Sequence, residues 1–328
     1  MIVTKTPLRV SFFGGGTDFK EYFEKEGGIV LSTSIDKYTY VTVRDLPDLF
    51  SFKNELTYSK TERVENIDEI EHPLIRNAMK FTNTDKIRLF YDADLPAGSG
   101  LASSSSFAVG LLNAFKKRNG EVLSNREMSD QSIHLERVMC AESGGIQDQI
   151  AVAFGGLNKI EFSKDGYTVN PIECSAERKA QLNNKLMLFY TGITRRSFEI
   201  QDDTRKSITD SRKSESMSRM KEIAYSAINV LEDESRNLVE FGELLDETWR
   251  IKHSLSSKIS NNQIDKYYDM AMKAGAVGGK LLGAGGGGFL LFYVDEKEQE
   301  SVINALSELH HVKFSFEDTG GTIIYEEK

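Results

Sequence analysis

A run of small and hydroxylated residues, DADLPAGSGLASSSS, begins at Asp92, between a strand-like run ending near Asp94 and a helix-like run beginning near Ser104 or Ser105. The first turn of a helix leaves backbone N–H groups without intrahelical partners, at the positive end of the helix dipole. Gly98 and Gly100 ahead of that turn let the main chain approach a ligand closely, and the hydroxyls of Ser99, Ser103, Ser104 and Ser105 add donors. Such a loop suits an anion, a phosphate group above all. It is not a Walker A loop, because no lysine follows Gly100. The alternative, a flexible serine linker, sits poorly with the ladder Phe107, Leu111, Phe115 that follows at once.

Three further stretches hold groups that could act beside it. PLRVSFFGGGTDF sets Arg9 and Asp18 around Gly14, Gly15 and Gly16, so the two charges either point into one cleft or form an ion pair at a surface turn. In GGIQDQIAVAFGG, Asp148 lies between Gln147 and Gln149 and is either a helix N-cap or a carboxylate in a polar cradle, able to take a proton from a substrate hydroxyl. The cluster Gly283 to Gly288 contains GxGxxG, but a dinucleotide fingerprint follows a strand and opens a helix. These glycines read as following a helical segment and opening the strand FLLFYV, which disfavours a Rossmann domain. A close backbone approach to the first glycine-rich loop and a packing-driven turn remain equally open. Arg195 and Arg196, in TGITRRS, either grip a phosphate bidentately or stay solvated. The five histidines show no ligand spacing, and no nearby histidine or basic cluster would lower the pKa of Cys140.

These groups need elements to carry them. A length of 328 residues exceeds one ordinary core, and 39% hydrophobic with 28% charged residues is a globular composition. The net charge of −9 argues against nucleic acid or an anionic membrane as partner, so an anionic ligand must meet a local pocket. Cys140 and Cys174 are the only cysteines, which gives neither a disulfide framework nor a zinc site and fits a reducing, cytoplasmic setting. The start MIVTKTPLRV lacks an apolar h-region and FLLFYV is far too short for a bilayer, so the chain reads as soluble and uncleaved. RVSFFGGG, YTYVTVRDL and IRLFYDAD read as strands, and the segment from Phe107 to Gly120 as one amphipathic helix. Polar residues from Ser163 to Asn184 suggest a boundary, giving domains 1–180 and 181–328. The second half reads β, α, α, β, α, β, an α+β arrangement.

Taken together, PLRVSFFGGGTDF, PAGSGLASSSS and KLLGAGGGGFLLF, in this order and at these separations, resemble the three motifs of the GHMP kinase family of small-molecule kinases, and the resemblance covers nearly the whole chain. It implies an α+β fold of two domains, the first like domain 2 of ribosomal protein S5 and the second ferredoxin-like. FGGGTDF, GIQDQIAVAFGGLN and FYTGITR are similar to members that phosphorylate the anomeric hydroxyl of D-glycero-D-manno-heptose 7-phosphate. Galactokinase-like members carry Glu-His where this chain has Gly15 and Gly16, which disfavours galactose and leaves room for a longer sugar; fucose kinases, and a non-catalytic nucleotide-binding member, stay as alternatives. The resemblance assigns ATP to Pro96, Gly98, Ser99, Gly100, Leu101, Ala102, Ser103, Ser104 and Ser105, and the sugar phosphate to Gly14, Gly15, Gly16, Thr17, Asp18 and Arg195. It places Mg²⁺ on Ser104 and Glu136, makes Asp148 the catalytic base and Arg9 the cation that steadies the attacking oxygen and the transferred group, and leaves a homodimer open.

Overall fold

The structure is a computed structural model that describes residues 1–193 and 211–327; Arg195 and Arg196 lie outside the described residues. The strands are β1 (Ile2–Phe13), β2 (Gly28–Asp45), β3 (Asn54–Thr57), β4 (Thr61–Val64), β5 (Ile87–Ala93), β6 (Leu157–Ser163), β7 (Gly166–Pro171), β8 (Leu186–Tyr190), β9 (Ala276–Leu281), β10 (Phe289–Val294), β11 (His310–Val312), β12 (Phe316–Glu317) and β13 (Thr322–Glu326). The helices are α1 (Lys20–Glu26), α2 (Pro73–Thr82), α3 (Ser103–Arg118), α4 (Asn125–Ile133), α5 (Gln147–Phe154), α6 (Ala176–Asn184), α7 (Ser211–Glu232), α8 (Val239–Leu255), α9 (Asn262–Lys273) and α10 (Gln299–Ala305).

Two sheets divide the molecule. In the first, β2 is the spine: it pairs antiparallel with β1 along nearly its whole length and with β5, β6 and β12 elsewhere, in the order β13-β1-β2-β5-β3-β4 with β7 beyond β6. The second sheet is antiparallel, in the order β11-β8-β10-β9. Numbered within that sheet the order is fourth, first, third, second, with helices after the first strand and between the third and fourth, which is the ferredoxin-like arrangement. Among the described residues no helix is long and apolar enough to cross a membrane.

Four sequence-based expectations change. The helix from Phe107 is not amphipathic: in α3, Ser105 through Phe115 are all buried, because the helix lies between β1 and β2 on one side and α2, α4 and α5 on the others. The stretch Ser163 to Asn184, read as a polar boundary, is itself structured: it holds β7, paired with β6, and α6. The chain does not stay in the second layer after residue 180, because β12 and β13 return to the first sheet and pair with β2 and β1. The segment before the C-terminal glycines is the strand β9, which makes the glycine-rich stretch a hairpin loop between β9 and β10 rather than the exit of a helix. Gly278 hides that strand from a periodicity reading: a Cβ there would stand 2.0 Å from the carbonyl oxygen of Gly242, so α8 packs directly on the strand's backbone.

Candidate active site

The cleft lies where the two layers meet. The end of β1, the loop 98–102, the start of α3, the segment 136–148 and the β9–β10 loop all line it, with Met217 and Met220 of α7 and Leu255 and Ile259 as its apolar side.

The loop ahead of α3 leaves donors for which the described residues supply no acceptor. Ala102, at the N-cap, has φ 63° and ψ 34°, a left-handed conformation that a non-glycine residue adopts at a cost, and no side chain caps the helix. The hydroxyls of Ser99 and Ser103 are buried without a hydrogen-bond partner among the described residues. Buried polar groups are nearly always paired, so two orphaned hydroxyls beside an uncapped helix N-terminus fit an oxyanion. The second glycine-rich loop holds this one in shape. A Cβ on Gly283, whose φ is 68°, would fall 2.5 Å from Cα of Gly100, so the two loops touch backbone to backbone. Of the two readings left open for the Gly283 to Gly288 cluster, the close approach to the first loop is the one observed.

Glu136 meets this loop from below. The helix of α4 widens at His134–Met139 into a π-type turn, a deviation that often re-aims a functional side chain, and the Glu136 carboxylate is turned inward and buried. Ser104 Oγ donates to Glu136 Oε1 at 2.7 Å, Ser105 Oγ donates to Oε2 at 2.7 Å, and the side-chain amide of Gln149 also donates to Oε2. Ser104 itself is exposed to the cleft. No group of three or more His, Cys, Asp or Glu side chains is placed to hold a metal among the described residues.

Arg9 pairs with Asp148, not with Asp18. Its Nε and Nη2 donate to Asp148 Oδ1 at 3.0 and 2.7 Å, and its Nη1 donates to the Gly100 carbonyl at 2.8 Å. The Arg9 side chain is 4% exposed and that of Asp148 21%, so the pair sits on the cleft floor with Asp148 on the open side. Both Arg9 bonds fall on Oδ1, and Oδ2 accepts nothing among the described residues. Asp148 stands in the first turn of α5, whose N-cap is Ile146, so the capping alternative for Asp148 does not apply.

Asp18 has a different task. It is 1% exposed, its Oδ1 accepts from the Gly16 N–H at 2.9 Å, and its Oδ2 accepts from the Gln147 N–H at 3.1 Å. Burial first, and then the charge of Asp148, raises its pKa. The carboxyl thus fastens the 14–18 turn to the segment that carries Asp148. Thr17 is fully buried and fastens the same turn from behind, donating to the carbonyls of Gly14 and Ile29 and accepting from the Ile29 N–H. Gly14 and Thr17 therefore shape the turn without lining the cleft, and Gly15 and Gly16 form its wall. A Cβ on Gly15 would meet Gln147 Nε2 at 3.6 Å, and one on Gly16 would meet Met217 Cε at 3.0 Å, so side chains at these two positions would fill the space between α5 and α7.

Of the loop residues singled out in the sequence, Gly98, Ser99, Gly100, Ala102, Ser103, Ser104 and Ser105 line the cleft. Pro96 is exposed outside it, and Leu101 is buried in the apolar core, contributing its carbonyl to the Arg9 N–H. Sequence reading missed Ser11, Gln147, Glu142, Lys252 and Lys280, which also line the cleft. Ser11 Oγ donates to Gln147 Oε1 at 2.7 Å, which turns the Gln147 amide nitrogen toward Gly15. Burial and the charge of Glu136 push Glu142 up to about 7. No motif spacing marks these residues, because they come from separate elements; the QDQ and GGKLLG contexts were the nearest signals.

The family model for the GHMP kinases N terminal domain matches residues 57–156, and that for the GHMP kinases C terminal domain matches residues 226–311. The chain is 32% identical, over 97% of its own length and 97% of the relative's, to a D-glycero-alpha-D-manno-heptose 7-phosphate kinase of Campylobacter jejuni. It is 26% identical over 93% of its length, and 31% of the relative's, to a bifunctional fucokinase/GDP-fucose pyrophosphorylase of Arabidopsis thaliana. A crystal structure described as a D-glycero-D-manno-heptose 1-phosphate kinase from Bacteriodes thetaiotaomicron superposes with a TM-score of 0.80 at 26% identity, covering 100% of both chains.

Proposed function

The chain belongs to the GHMP kinase family, and from that premise we propose that it transfers the terminal phosphoryl group of ATP to the anomeric hydroxyl of D-glycero-D-manno-heptose 7-phosphate, making the 1,7-bisphosphate. The observation that carries this reading is Arg9: one guanidinium binds both the carbonyl of Gly100 in the phosphate loop and the carboxylate of Asp148, so donor cradle and candidate base are set at a fixed separation. Phosphoryl transfer depends chiefly on such positioning and on charge neutralisation.

The serine loop cradles the triphosphate with the N–H groups of α3 and the hydroxyls of Ser99 and Ser103. Ser104 Oγ and Glu136 Oε1, side by side and both hard oxygen donors, would hold Mg²⁺. Bound there, the ion would supply charge neutralisation for the phosphates. The sugar lies between Gly15, Gly16 and the Gln147 amide, with its reacting hydroxyl at Asp148 Oδ2, which takes the proton as the new P–O bond forms. The open wall left by Gly15 and Gly16 supports a seven-carbon sugar over galactose. A cytoplasmic setting accords with two free cysteines.

The test is ADP release from purified protein with ATP, Mg²⁺ and one acceptor at a time: heptose 7-phosphate, fucose, galactose or mevalonate. We expect the highest kcat/KM with heptose 7-phosphate. Turnover with mevalonate alone would overturn the sugar reading, and no ADP release with any acceptor would overturn the activity.

A further inference from the structure

Two lysines enter the cleft from the second layer, and neither has a counter-ion among the described residues. Lys252, on α8, donates from Nζ to the carbonyls of Leu281 and Gly283 at 3.1 and 2.5 Å. Lys280, on β9 and 5% exposed, donates from Nζ to the carbonyls of Ser11 and Phe12 at 3.0 and 2.6 Å. An ammonium has three N–H donors, so each lysine keeps one that has no partner among the described residues. No carboxylate among the described residues lies within ion-pair distance of the half-buried Lys252 or the buried Lys280, although lysines so enclosed are ordinarily paired. The charged groups facing them are each other and Arg9 of β1, whose own charge is matched by Asp148. Burial, and then Arg9, pushes Lys252 down to about 7; burial, and then Lys252 and Arg9, holds Lys280 well below the ordinary lysine value. Cations enclosed on these terms suit an anion that arrives with the substrates.

Their anchors say where that anion sits. Lys252 is bound to Gly283, the residue pressed against Gly100 of the phosphate loop. Lys280 is bound to the main chain of Ser11, whose hydroxyl meets Gln147 next to Asp148. One ammonium is thus fixed at the donor end of the cleft and the other at the acceptor end. We propose that Lys252 and Lys280 are catalytic cations that together grip the phosphoryl group while it passes from a nucleoside triphosphate to the sugar hydroxyl, an inference that rests on the kinase reading above. In that step the sugar oxygen forms the new P–O bond, and the bond from the γ-phosphorus to the β–γ bridging oxygen breaks. Its electron pair leaves on the nucleoside diphosphate, and the hydroxyl proton passes to Asp148. The lysines exchange no atom with the substrates; their charges offset the negative charge spread over the three equatorial oxygens.

Steady-state kinetics of the full chain with ATP and heptose 7-phosphate, for Lys252→Met, Lys280→Met and Lys252→Arg, test the assignment. Each Met variant is expected to lose about 10² or more in kcat with both KM values within about threefold of wild type, and Lys252→Arg to recover part of the loss. A rise in the sugar-phosphate KM alone at normal kcat would put the sugar's own phosphate at the pair and overturn the proposal, as would a rise in the ATP KM alone. Should either Met variant fail to fold, calorimetry of wild type at pH 8 with the β,γ-imido analogue of ATP, in two buffers of different ionisation enthalpy, decides the matter. Net proton uptake is expected, because a bound phosphate favours the charged lysines, and zero uptake refutes it. Normal kcat in both Met variants alongside wild-type turnover defeats this assignment alone; a wild-type protein that releases no ADP with any acceptor defeats the kinase reading and this one together.

Discussion

Replacing Asp148 with Asn separates the proposed base from everything that holds it. The amide keeps the shape of the carboxylate and one oxygen that can still accept from Nε and Nη2 of Arg9, while the Gly100 contact of Arg9 is untouched. What disappears is the proton acceptor at Oδ2 and the negative charge. General-base help is worth roughly 10² to 10⁴ in rate, so kcat should fall by that factor, about 3–5 kcal/mol of barrier. The fold should lose far less: converting a charged acceptor into a neutral one weakens those hydrogen bonds by about 1–2 kcal/mol, and the 21% exposure of the Asp148 side chain lets water moderate the loss. Three measurements on one preparation are needed: ADP release at saturating substrates, affinity for the β,γ-imido analogue of ATP by calorimetry, and a thermal melt. The expected pattern is a kcat loss of 10² or more, nucleotide affinity within about threefold and a fold that still melts cooperatively. A kcat within threefold of wild type would refute the base assignment, and a collapse of nucleotide affinity would show that Asp148 serves the loop rather than the acceptor.

Asp18→Ala leaves the N–H groups of Gly16 and Gln147 without their acceptor, each a loss of about 1–3 kcal/mol if it stays buried; the sugar KM should rise with nucleotide affinity unchanged, and an unaltered sugar KM would count against the fastening role. Gly283→Ala puts a methyl group 2.5 Å from Cα of Gly100 at a φ of 68°, and since a displacement of about 1 Å in a catalytic loop can cost 10²-fold in rate, kcat should fall by about that factor; normal turnover would mean the two loops move independently. Ser104→Ala should raise the Mg²⁺ concentration needed for half-maximal rate without changing the melting temperature by more than a few degrees, and an unchanged Mg²⁺ requirement would remove Ser104 from the metal. Lys252 is held down at about 7 in the folded protein and returns to the ordinary lysine value on unfolding. Between those values the unfolded chain binds more protons, so this group makes the ligand-free protein gain stability as pH rises above about 7. Melts at pH 7, 8 and 9 should therefore show a steeper rise for wild type than for Lys252→Met, and parallel curves would sink the point.

Local chemistry made much of this protein legible before any coordinates. The glycines and serines of PAGSGLASSSS point to the proposed anion site because the constraint is local: backbone approach, hydroxyl donors and a helix start all lie within a dozen residues. The three glycine-rich motifs carried the family for the same reason, whereas the reading β, α, α, β, α, β of the second half found β8, β10, β13 and the helices but left out β9, β11 and β12. What stayed hidden depended on partners distant in the chain. Gly278 weakened the strand pattern of β9 because its missing side chain answers to Gly242 of α8, not to its neighbours in sequence. The return of β13 to β1 reflects an edge left unpaired some 320 residues earlier, which no window along the chain can register. Arg9 and Asp18 both line one cleft, one of the two readings their spacing left open, but folding brings Asp148 across 139 positions to the guanidinium and assigns Asp18 to two backbone N–H groups. The lysines show the limit most plainly. Residue type announces a cation, but only the packing of α8 and β9 against the end of β1 decides that Lys252 and Lys280 face a cleft with carbonyls for company and no carboxylate among the described residues, since desolvation and Coulomb energy depend on what surrounds a charge in space.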